Sequence, residues 1–573
     1  MKNLRWLSLN FLFLFLCVVV GATAGELKMI GYSAYPNGYL TDHAKEIAKI
    51  YDGFFFSIGS WDSGTLRCLG LEGQPAQDAH WYKTAGKNIT ALNRAGVSEN
   101  FLTVCFGQDE EWPSPTTLFS DAFIQKMESH YRAIGRSARA LGCRGVCIDV
   151  EYPYQRYSVS HPIYRYDRHT VYDLETAARD QGRLCVQAIL QQFPEAVIIT
   201  LPGQLRSRLI DRNFQYGMLE YMAEVNAPGG FHLGTEYTYS LNDPVSTLIT
   251  PRFEDAGIKL FMSEAMQNYW KAKCTIAPGV WPLHMVETGG KDYPVRPWKE
   301  EVAELKEQMS ILRSVSKRYI WSYSGAPVWY LPSAALEKKY GLAKQTFSQP
   351  DIDLAEWHNI LMDKSCQPPA ALAPLRTKIA QYDAGKLSAE ELCDAFGVAG
   401  HWWVLGLLAN PHQKPQYAAA QAAWQPFNPQ ELFHGRDQVV RWFDYALLDP
   451  RGIVNCARTF DWRNTDSSSA HFVAFIHSPK QQQAVLQVGW DDGLLIRFND
   501  QVVFDRTSYP PRGRGQQYRD RYAFEEQVPV ALQQGANKLA VTSINSHGSW
   551  IFALRLTDEQ GIPLQGVVFR LNE

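Results

Sequence analysis

Short apolar runs alternate with helix-patterned segments along the chain between Leu27 and Tyr330. The runs are rich in β-branched and aromatic side chains, which predicts buried strands. The predicted strands are Leu27–Tyr32, Gly53–Ile58, Phe101–Phe106, Arg144–Val150, Ala196–Leu201, Gly230–Thr235, Val280–Val286 and Arg318–Tyr323. The predicted helices include Asp42–Ile50, Phe123–Leu141, Leu174–Gln192, Phe214–Val225, Phe261–Lys271 and Trp298–Ser314. Eight strands that alternate with helices predict a closed (β/α)8 barrel, and a doubly wound open sheet is the alternative.

The pattern changes after the last of these strands. Two prolines at 368–369 and the Ala/Leu/Glu/Lys-rich stretch Leu372–Phe396 predict a connector with helical pieces. From His401 onward, short strand-like runs are separated by turn residues, which is typical of antiparallel strands. These runs are Phe472–Ile476, Ala484–Val488, Leu494–Phe498, Gln501–Phe504, Gln527–Leu532, Lys538–Ser543 and Trp550–Leu556. We therefore predict a barrel over residues 25–340, a helical connector over 341–400 and an antiparallel β-sandwich over 401–573.

The first 24 residues have the pattern of an export signal. Lys2 and Arg5 precede the apolar stretch Leu9–Val20, and the small residues Ala22-Thr23-Ala24 follow it as a cleavage site. The apolar stretch is too short for a comfortable membrane span, and no later segment resembles one. We expect residues 1–24 to be a signal peptide and the mature chain to be secreted or periplasmic.

Composition narrows the range of partners. The 573 residues carry a net charge of −3, which argues against a nucleic-acid-binding protein. Aromatic residues make up 13% of the chain, and rings with polar edges suit sugars, which are half apolar and half hydroxylated. No phosphate-binding glycine loop, zinc-ligand pattern or serine-nucleophile motif is present, so we expect neither a metal nor another cofactor. Four of the ten cysteines, Cys105, Cys143, Cys147 and Cys185, lie in apolar surroundings, which predicts buried thiols, and we expect few disulfides.

The predicted fourth strand ends in two carboxylates. Asp149 and Glu151 are two residues apart, so their side chains lie on the same face of an extended chain. Two carboxylates this close raise the pKa of one of them, and this keeps a carboxylic acid protonated near neutral pH. The alternative is structural, with one residue capping the loop and the other exposed. We favour the catalytic interpretation.

Other predicted strands also end in acidic and aromatic residues. In a barrel of this kind, the residues just past the carboxyl ends of the strands form the site. Glu236 follows the sixth predicted strand, and Glu287 follows the seventh. The aromatic residues at or near the strand ends, which we expect to bind substrate, are Trp61, Tyr152, Tyr237, Trp321, Tyr323 and Trp329. Carboxylates walled by aromatic rings are the groups that cleavage of a glycosidic bond requires.

On these residues the first part of the chain resembles the barrel glycoside hydrolases. The similarity lies in I-D-V-E-Y at 148–152, Y-I-W-S-Y-S at 319–324 and Glu287. In retaining enzymes of this kind, the resemblance implies that Glu151 is the acid/base and Glu287 the nucleophile. Such enzymes place Asn before the first glutamate, where this chain has Val150.

The D-x-E spacing is also similar to barrel enzymes in which the substrate's own acetamido group attacks. That resemblance implies that Asp149 orients the acetamido group and that Glu151 is the acid. Glu151 is the acid in both schemes, and its partner stays open between Glu287, Glu236 and Asp149.

The C-terminal part resembles the galactose-binding-like sandwich modules of secreted carbohydrate enzymes. The matching stretches are W-W-V-L-G (402–406), W-D-D-G-L-L-I-R-F-N-D (490–500), G-A-N-K-L (535–539) and S-W-I-F-A-L-R (549–555). Such modules bind sugar or pack against the enzyme, so Trp490 and Trp550 are either a binding platform or core residues.

Together these features predict a secreted glycoside hydrolase that cleaves an oligo- or polysaccharide by carboxylate acid/base catalysis. One alternative is a non-catalytic carbohydrate-binding surface protein with a degenerate barrel. A polysaccharide lyase is the other.

Overall fold

The computed structural model describes most of the chain from Leu27 onward. The described residues are 27–57, 79–105, 117–150, 169–203, 209–241, 243–282, 298–323, 339–340, 354–409, 428–436, 438–460, 465–507, 524, 526–546 and 550–572.

Eight parallel strands close into a barrel in the order in which they occur in the sequence, and the first strand pairs with the eighth. The strands are β1 (Lys28–Ala34), β2 (Gly53–Ser57), β3 (Phe101–Cys105), β4 (Gly145–Asp149), β5 (Val197–Leu201), β6 (Phe231–Thr235), β7 (Thr275–Val280) and β8 (Tyr319–Ser322). The predicted (β/α)8 barrel is confirmed, and the open-sheet alternative is wrong.

Helices surround the barrel because one face of each is apolar and packs on the outward side chains of the strands. They are α1 (Gly38–Asp42), α2 (Ala44–Ile47), α3 (Ala79–Arg94), α4 (Asp121–Leu141), α5 (Val171–Gln192), α6 (Leu209–Glu224), α7 (Pro244–Lys259), α8 (Glu264–Lys273) and α9 (Trp298–Val315). Their ends follow from local chemistry. In α4, the Ser120 hydroxyl caps the first turn, and Gly142 ends the helix in the left-handed conformation at φ +78°.

The seventh strand and the first of the two helices before it differ from the prediction. The strand runs over Thr275–Val280 rather than Val280–Val286, because Pro278-Gly279, typical of a turn, lies inside the strand. The sequence pattern also did not predict α7, because its interior contains Pro251 and several β-branched residues. Glu287 therefore does not end the seventh strand, and the positional argument for its role is wrong.

Alternate residues of the strands point into the barrel and fill it. Ile30, Phe55, Cys147, Ile199 and Trp321 belong to one buried cluster there. At the amino ends of the strands the barrel is closed by Tyr319, whose hydroxyl donates to the Glu99 carboxylate at 2.8 Å. The interior is thus packed, and any site must lie at the opposite, carboxyl-terminal end.

After the barrel, the chain continues through helices α10 (Leu354–Met362), α11 (Ala373–Asp383) and α12 (Ala389–Ala395). Two antiparallel sheets follow. The larger contains β9 (His401–Ala409), β12 (Phe443–Ala446), β14 (Ser468–Ser478), β16 (Gly493–Phe498), β17 (Gln501–Arg506), β19 (Gly535–Asn545) and β21 (Val568–Arg570). The smaller contains β13 (Ile453–Asn455), β15 (Gln482–Trp490), β18 (Glu526–Leu532) and β20 (Ile551–Thr557). A further hairpin pairs β10 (Leu432–His434) with β11 (Val439–Arg441).

The two sheets enclose one apolar core and form the predicted β-sandwich. Trp490 and Trp550 belong to this core, and each exposes no more than 2% of its surface. The Trp550 indole donates to the hydroxyl of Ser543 at 2.9 Å. These two rings are therefore core residues rather than a binding platform. Between β16 and β17, the chain makes a tight turn at Asn499-Asp500, with both residues at positive φ.

The barrel, the connector and the sandwich share a buried cluster, which we call the joint cluster. It consists of Val245, Leu248, Ile249, Ile311, Leu372, Leu375, Leu392, Cys393, Phe396 and Val398, with Ile562 packed against it. Ion pairs flank it. Arg252 of α7 pairs with Asp383 of α11, and Arg451 of the sandwich pairs with Glu254 of α7 at 2.5 Å.

The structure describes the side chains of seven cysteines, and these seven are unpaired thiols. Six of them are buried, as predicted for Cys143, Cys147 and Cys185, and Cys366 is half-buried. Of the helices in the described part of the chain, none has the length and apolarity needed to cross a membrane.

Candidate functional site

Asp149 is buried at the carboxyl-terminal mouth of the barrel. It is the last residue of β4, beside Cys105 of β3 and Leu201 of β5, and only 3% of its surface is exposed. From β1, the hydroxyl of Tyr32 crosses the mouth and donates to Oδ2 of Asp149 at 3.4 Å. A carboxylate in so apolar a place is costly without donors, so its presence indicates a specific role.

Two residues deeper along the strand, Cys147 separates Asp149 from the packed interior. Burial raises the pKa of the Cys147 thiol well above its ordinary value, and the negative charge of Asp149 raises it further. A hydrogen bond with the hydroxyl of Thr103 opposes this rise. The thiol therefore stays neutral near neutral pH.

Beside Asp149 lies a cluster of aromatic rings, which we call the aromatic floor. It is made of Tyr32, Tyr239, Trp281, Trp321 and Tyr323. Trp321 is the deepest member, and its indole N–H donates to the carbonyl of Ala277 at 3.1 Å. The other four rings are half-buried, with centroids 4.9–5.8 Å from their neighbours in the floor.

Gly279 makes room for the indole of Trp321. A Cβ at Gly279 would lie 2.8 Å from the Trp321 ring, closer than real contacts allow. A glycine in the middle of a strand weakens it, and this one coincides with a close approach by a large side chain. The fold thus seats the Trp321 indole beneath the other rings of the aromatic floor, at a local cost in strand stability.

Glu236 and Tyr239 come from a short segment after β6. Glu236 is half-buried, and its carbonyl accepts from the N–H of Tyr239 as the chain enters a 3-10 turn, Tyr237–Ser240. The hydroxyl of Thr238 donates to the carbonyl of Gly279 at 2.5 Å, which ties the turn to β7. From α9, the Gln308 side chain donates to the carbonyls of Thr238 and Leu241. The turn that carries Tyr239 into the aromatic floor is therefore held by several hydrogen bonds.

The predicted site residues fall into two groups. Asp149, Glu236, Tyr237, Trp321 and Tyr323 lie at the mouth end of their strands, and Asp149, Trp321 and Tyr323 meet around Tyr32. The others lie outside the described residues: Glu151, Glu287, Trp61, Tyr152 and Trp329. Trp321 is 1% exposed, so it supports the floor more than it offers a free face.

Sequence reasoning missed Tyr32, Tyr239 and Trp281. β1 extends to Ala34, and Tyr32 lies two residues after Ile30, so alternation along the strand places it on the same inward face. The first predicted strand already contained both residues, so this signal was present in the sequence. Trp281 is the residue after β7, so a prediction that ended the seventh strand at Val280 would have identified it. For Tyr239 no sequence signal was available, because its position depends on the 3-10 turn.

The described residues contain no group of three or more His, Cys, Asp or Glu side chains able to hold a metal ion. The site that these residues form consists of the buried Asp149 carboxylate, the Tyr32 hydroxyl that donates to it, and the aromatic floor. These groups can bind the faces of a neutral ring compound and position one polar group on it.

The fold and this geometry define the chain as a (β/α)8 barrel protein with a C-terminal β-sandwich. No family model matches it, and no curated protein is significantly similar. Among solved structures, a GH18 chitinase from Pseudoalteromonas aurantia is 11% identical with a TM-score of 0.29, over 52% of this chain and 94% of that chain.

Two other solved structures belong to different classes of barrel protein. An exo-β-1,4-mannosidase from Opitutaceae bacterium strain TAV5 is 14% identical with a TM-score of 0.32, over 52% of each chain. Morphinone reductase is 13% identical with a TM-score of 0.31, over 56% of this chain and 89% of that chain.

Proposed function

We propose that the chain is a glycoside hydrolase that cleaves an oligo- or polysaccharide. The observation that carries the proposal is the buried carboxylate of Asp149, which lies at the barrel mouth with the Tyr32 hydroxyl donating to it. An enzyme that stabilises positive charge at a sugar's anomeric carbon needs a fixed carboxylate or a group held by one.

The aromatic floor supports a sugar as the ligand. Sugar rings present C–H groups on one face, and these pack against aromatic faces while the hydroxyls reach polar groups at the rim. Tyr239, Trp281 and Tyr323 are each half-buried, so part of every ring remains available at the mouth. The Tyr32 ring belongs to the aromatic floor and its hydroxyl donates to the Asp149 carboxylate, so a carboxylate oxygen lies beside the rings.

In the mechanism we propose, Glu151 donates its proton to the glycosidic oxygen as the bond to the anomeric carbon breaks. Two residues earlier, Asp149 orients the substrate's acetamido group, whose carbonyl oxygen bonds to the anomeric carbon. Water then adds at that carbon, the acetamido group is released, and Glu151 takes a proton from the water. If Glu236 or Glu287 is the partner instead, that carboxylate forms the bond in place of the acetamido oxygen.

The first test compares aryl glycosides with and without an acetamido group at the sugar's second carbon, beside a panel of polysaccharides. We expect Glu151→Gln to lower kcat by about a hundredfold or more on substrates whose leaving group must be protonated, and by less on aryl glycosides with good leaving groups, because the proton donor is lost. The Asp149→Asn variant should lose activity to a similar degree only on acetamido sugars. A matched control is Glu99→Gln, because Glu99 lies at the closed end of the barrel.

Three results would overturn parts of the proposal. Equal turnover by wild type and Glu151→Gln would remove Glu151 from the reaction. Sugar binding without turnover by the wild type would favour the non-catalytic carbohydrate-binding protein. Release of an unsaturated uronate product would identify a polysaccharide lyase.

A further inference from the structure

Arg555 of the sandwich contacts the start of α7, the helix that follows β6 and the turn Tyr237–Ser240. Asp243 caps the start of α7, and its Oδ1 accepts from the backbone N–H of Ser246 at 2.8 Å. The same oxygen accepts from Nη1 of Arg555 at 2.6 Å, and Nη2 of Arg555 donates to the Ser246 hydroxyl at 2.9 Å. One guanidinium therefore holds both the capping residue and the first turn of the helix.

Arg555 is among the largest fully buried side chains of the described part of the protein. It projects from β20, and its guanidinium lies 4.4 Å from the centroid of the Phe524 ring. A buried guanidinium is stable only when it is paired and hydrogen-bonded, and loss of its partner is strongly destabilising. The contact with Asp243 is thus a fixed part of the fold and not an exposed ion pair of variable geometry.

Asp243, which Arg555 anchors, is close in sequence to the candidate site. Only a few residues separate Asp243 from Glu236 and Tyr239, and Leu241 between them is buried. On the barrel side, Gln308 and the hydroxyl of Thr238 hold the middle of this segment. Its far end is held by Arg555, which belongs to the sandwich.

We propose that Arg555 is a positioning residue of the site: by fixing Asp243, the sandwich holds the segment that carries Glu236 and Tyr239 at the barrel mouth. For its effect on catalysis this inference rests on the proposed function. It makes the sandwich a structural support of the active site, so turnover of small soluble substrates depends on it as much as turnover of polymers.

The test compares Arg555→Met with Arg451→Met in the full chain. Arg451 is a matched control, because it also crosses from the sandwich to α7, where it pairs with Glu254 and lies over the ring of Phe253. Both variants lose a cross-domain ion pair, but only the first loses the contact with the helix start. A third variant, Asp243→Asn, keeps an oxygen able to cap α7 while it weakens the pair with Arg555.

Three quantities are measured for each variant: the thermal midpoint, kcat and KM on a small aryl glycoside, and amide hydrogen exchange of the 236–241 segment. We expect Arg555→Met to lower kcat/KM by about tenfold or more, since small misplacements of site residues are costly. Exchange in the 236–241 segment should rise at the same time. Arg555→Lys should recover part of both effects, because a lysine keeps the charge and one bond to Asp243. For Arg451→Met, kcat/KM should stay within about twofold of wild type, even if the midpoint falls.

The exchange measurement separates the two proposals. If Arg555→Met and Asp243→Asn leave exchange of the 236–241 segment unchanged, positioning by Arg555 is wrong, whatever the chain hydrolyses. If exchange rises there while the wild type turns over no glycoside, the anchoring role is supported and the proposed function is overturned. Equal losses of kcat/KM in Arg555→Met and Arg451→Met would also contradict a specific role for Arg555.

Discussion

At the scale of single residues, the alternation of side chains along a strand was informative where the strand was placed correctly. It identified Asp149 as an inward carboxylate at the end of β4, where the structure places it. The same alternation places Tyr32 on the face of Ile30, although we did not single it out as a site residue from the sequence. A carboxylate can be predicted from its own strand, whereas its donor comes from across the barrel.

A buried histidine of the sandwich makes the free energy of unfolding depend on pH. His471 lies on β14, fully buried, with Nδ1 2.9 Å from the Thr542 hydroxyl, and burial lowers its pKa from 6.5 to about 3. Since the folded-state pKa is the lower one, the unfolded chain binds more protons between these two values. This residue therefore reduces the free energy of unfolding as pH falls below 6.5.

We predict that His471→Gln removes this contribution. Between pH 7 and pH 5, the wild type should lose about 2 kcal/mol more stability than the variant, because glutamine does not titrate. Urea unfolding of both proteins at the two pH values measures the difference. An equal loss in the two proteins would show that His471 does not titrate with a lowered pKa.

At the scale of elements, most strands and helices could be predicted, and the exceptions share a cause. Proline and glycine are typical of turns, yet Pro278-Gly279 lies inside β7 and Pro251 inside α7. The glycine is required there by the Trp321 indole, a contact between β7 and β8 that no local pattern contains. Prediction from the sequence failed where packing between elements overrides local preference.

The junction between the connector and the sandwich depends on one glycine. Gly397 adopts φ +69°, and a Cβ there would lie 2.2 Å from the carbonyl oxygen of Leu556. Just past the end of α11, Gly385 has nearly the same φ, +68°, and a Cβ at that position would meet nothing within 4 Å. A residue with a side chain would therefore meet the same backbone strain at both positions, but the close contact only at Gly397.

We predict that Gly385→Ala lowers the free energy of unfolding by about 1 kcal/mol, the cost of a left-handed alanine. Gly397→Ala should lower it by about 3 kcal/mol, because overpacking against a backbone carbonyl adds to that strain. Chemical denaturation of the two variants beside the wild type measures both values. Similar losses in the two variants would mean that the Leu556 backbone moves away without cost.

At the scale of the whole molecule, the sequence indicated three successive parts, but not how they are joined. The joint cluster takes side chains from α7, α9 and the connector, and Ile562 of the sandwich packs against it. Arg555 and Arg451 add buried or nearly buried ion pairs across the same boundary. Each of these contacts links residues far apart in the chain, so neither composition nor periodicity reveals them.

We predict that barrel and sandwich unfold together. Separation would expose the joint cluster and leave Arg555 and Asp243 without each other, which costs several kcal/mol. Differential scanning calorimetry of the full chain should show a single transition, with calorimetric and van't Hoff enthalpies that agree. Two resolved transitions would indicate that the sandwich is an independent unit.

The buried, unpaired thiols allow local unfolding of the chain to be followed by chemical modification. Thiols react with alkylating reagents as thiolates, and burial raises the pKa of Cys143 to about 12. The buried thiols are spread over the barrel wall (Cys185), the joint cluster (Cys393) and the sandwich (Cys456). The order in which a reagent modifies these three cysteines is therefore a record of which region becomes accessible first.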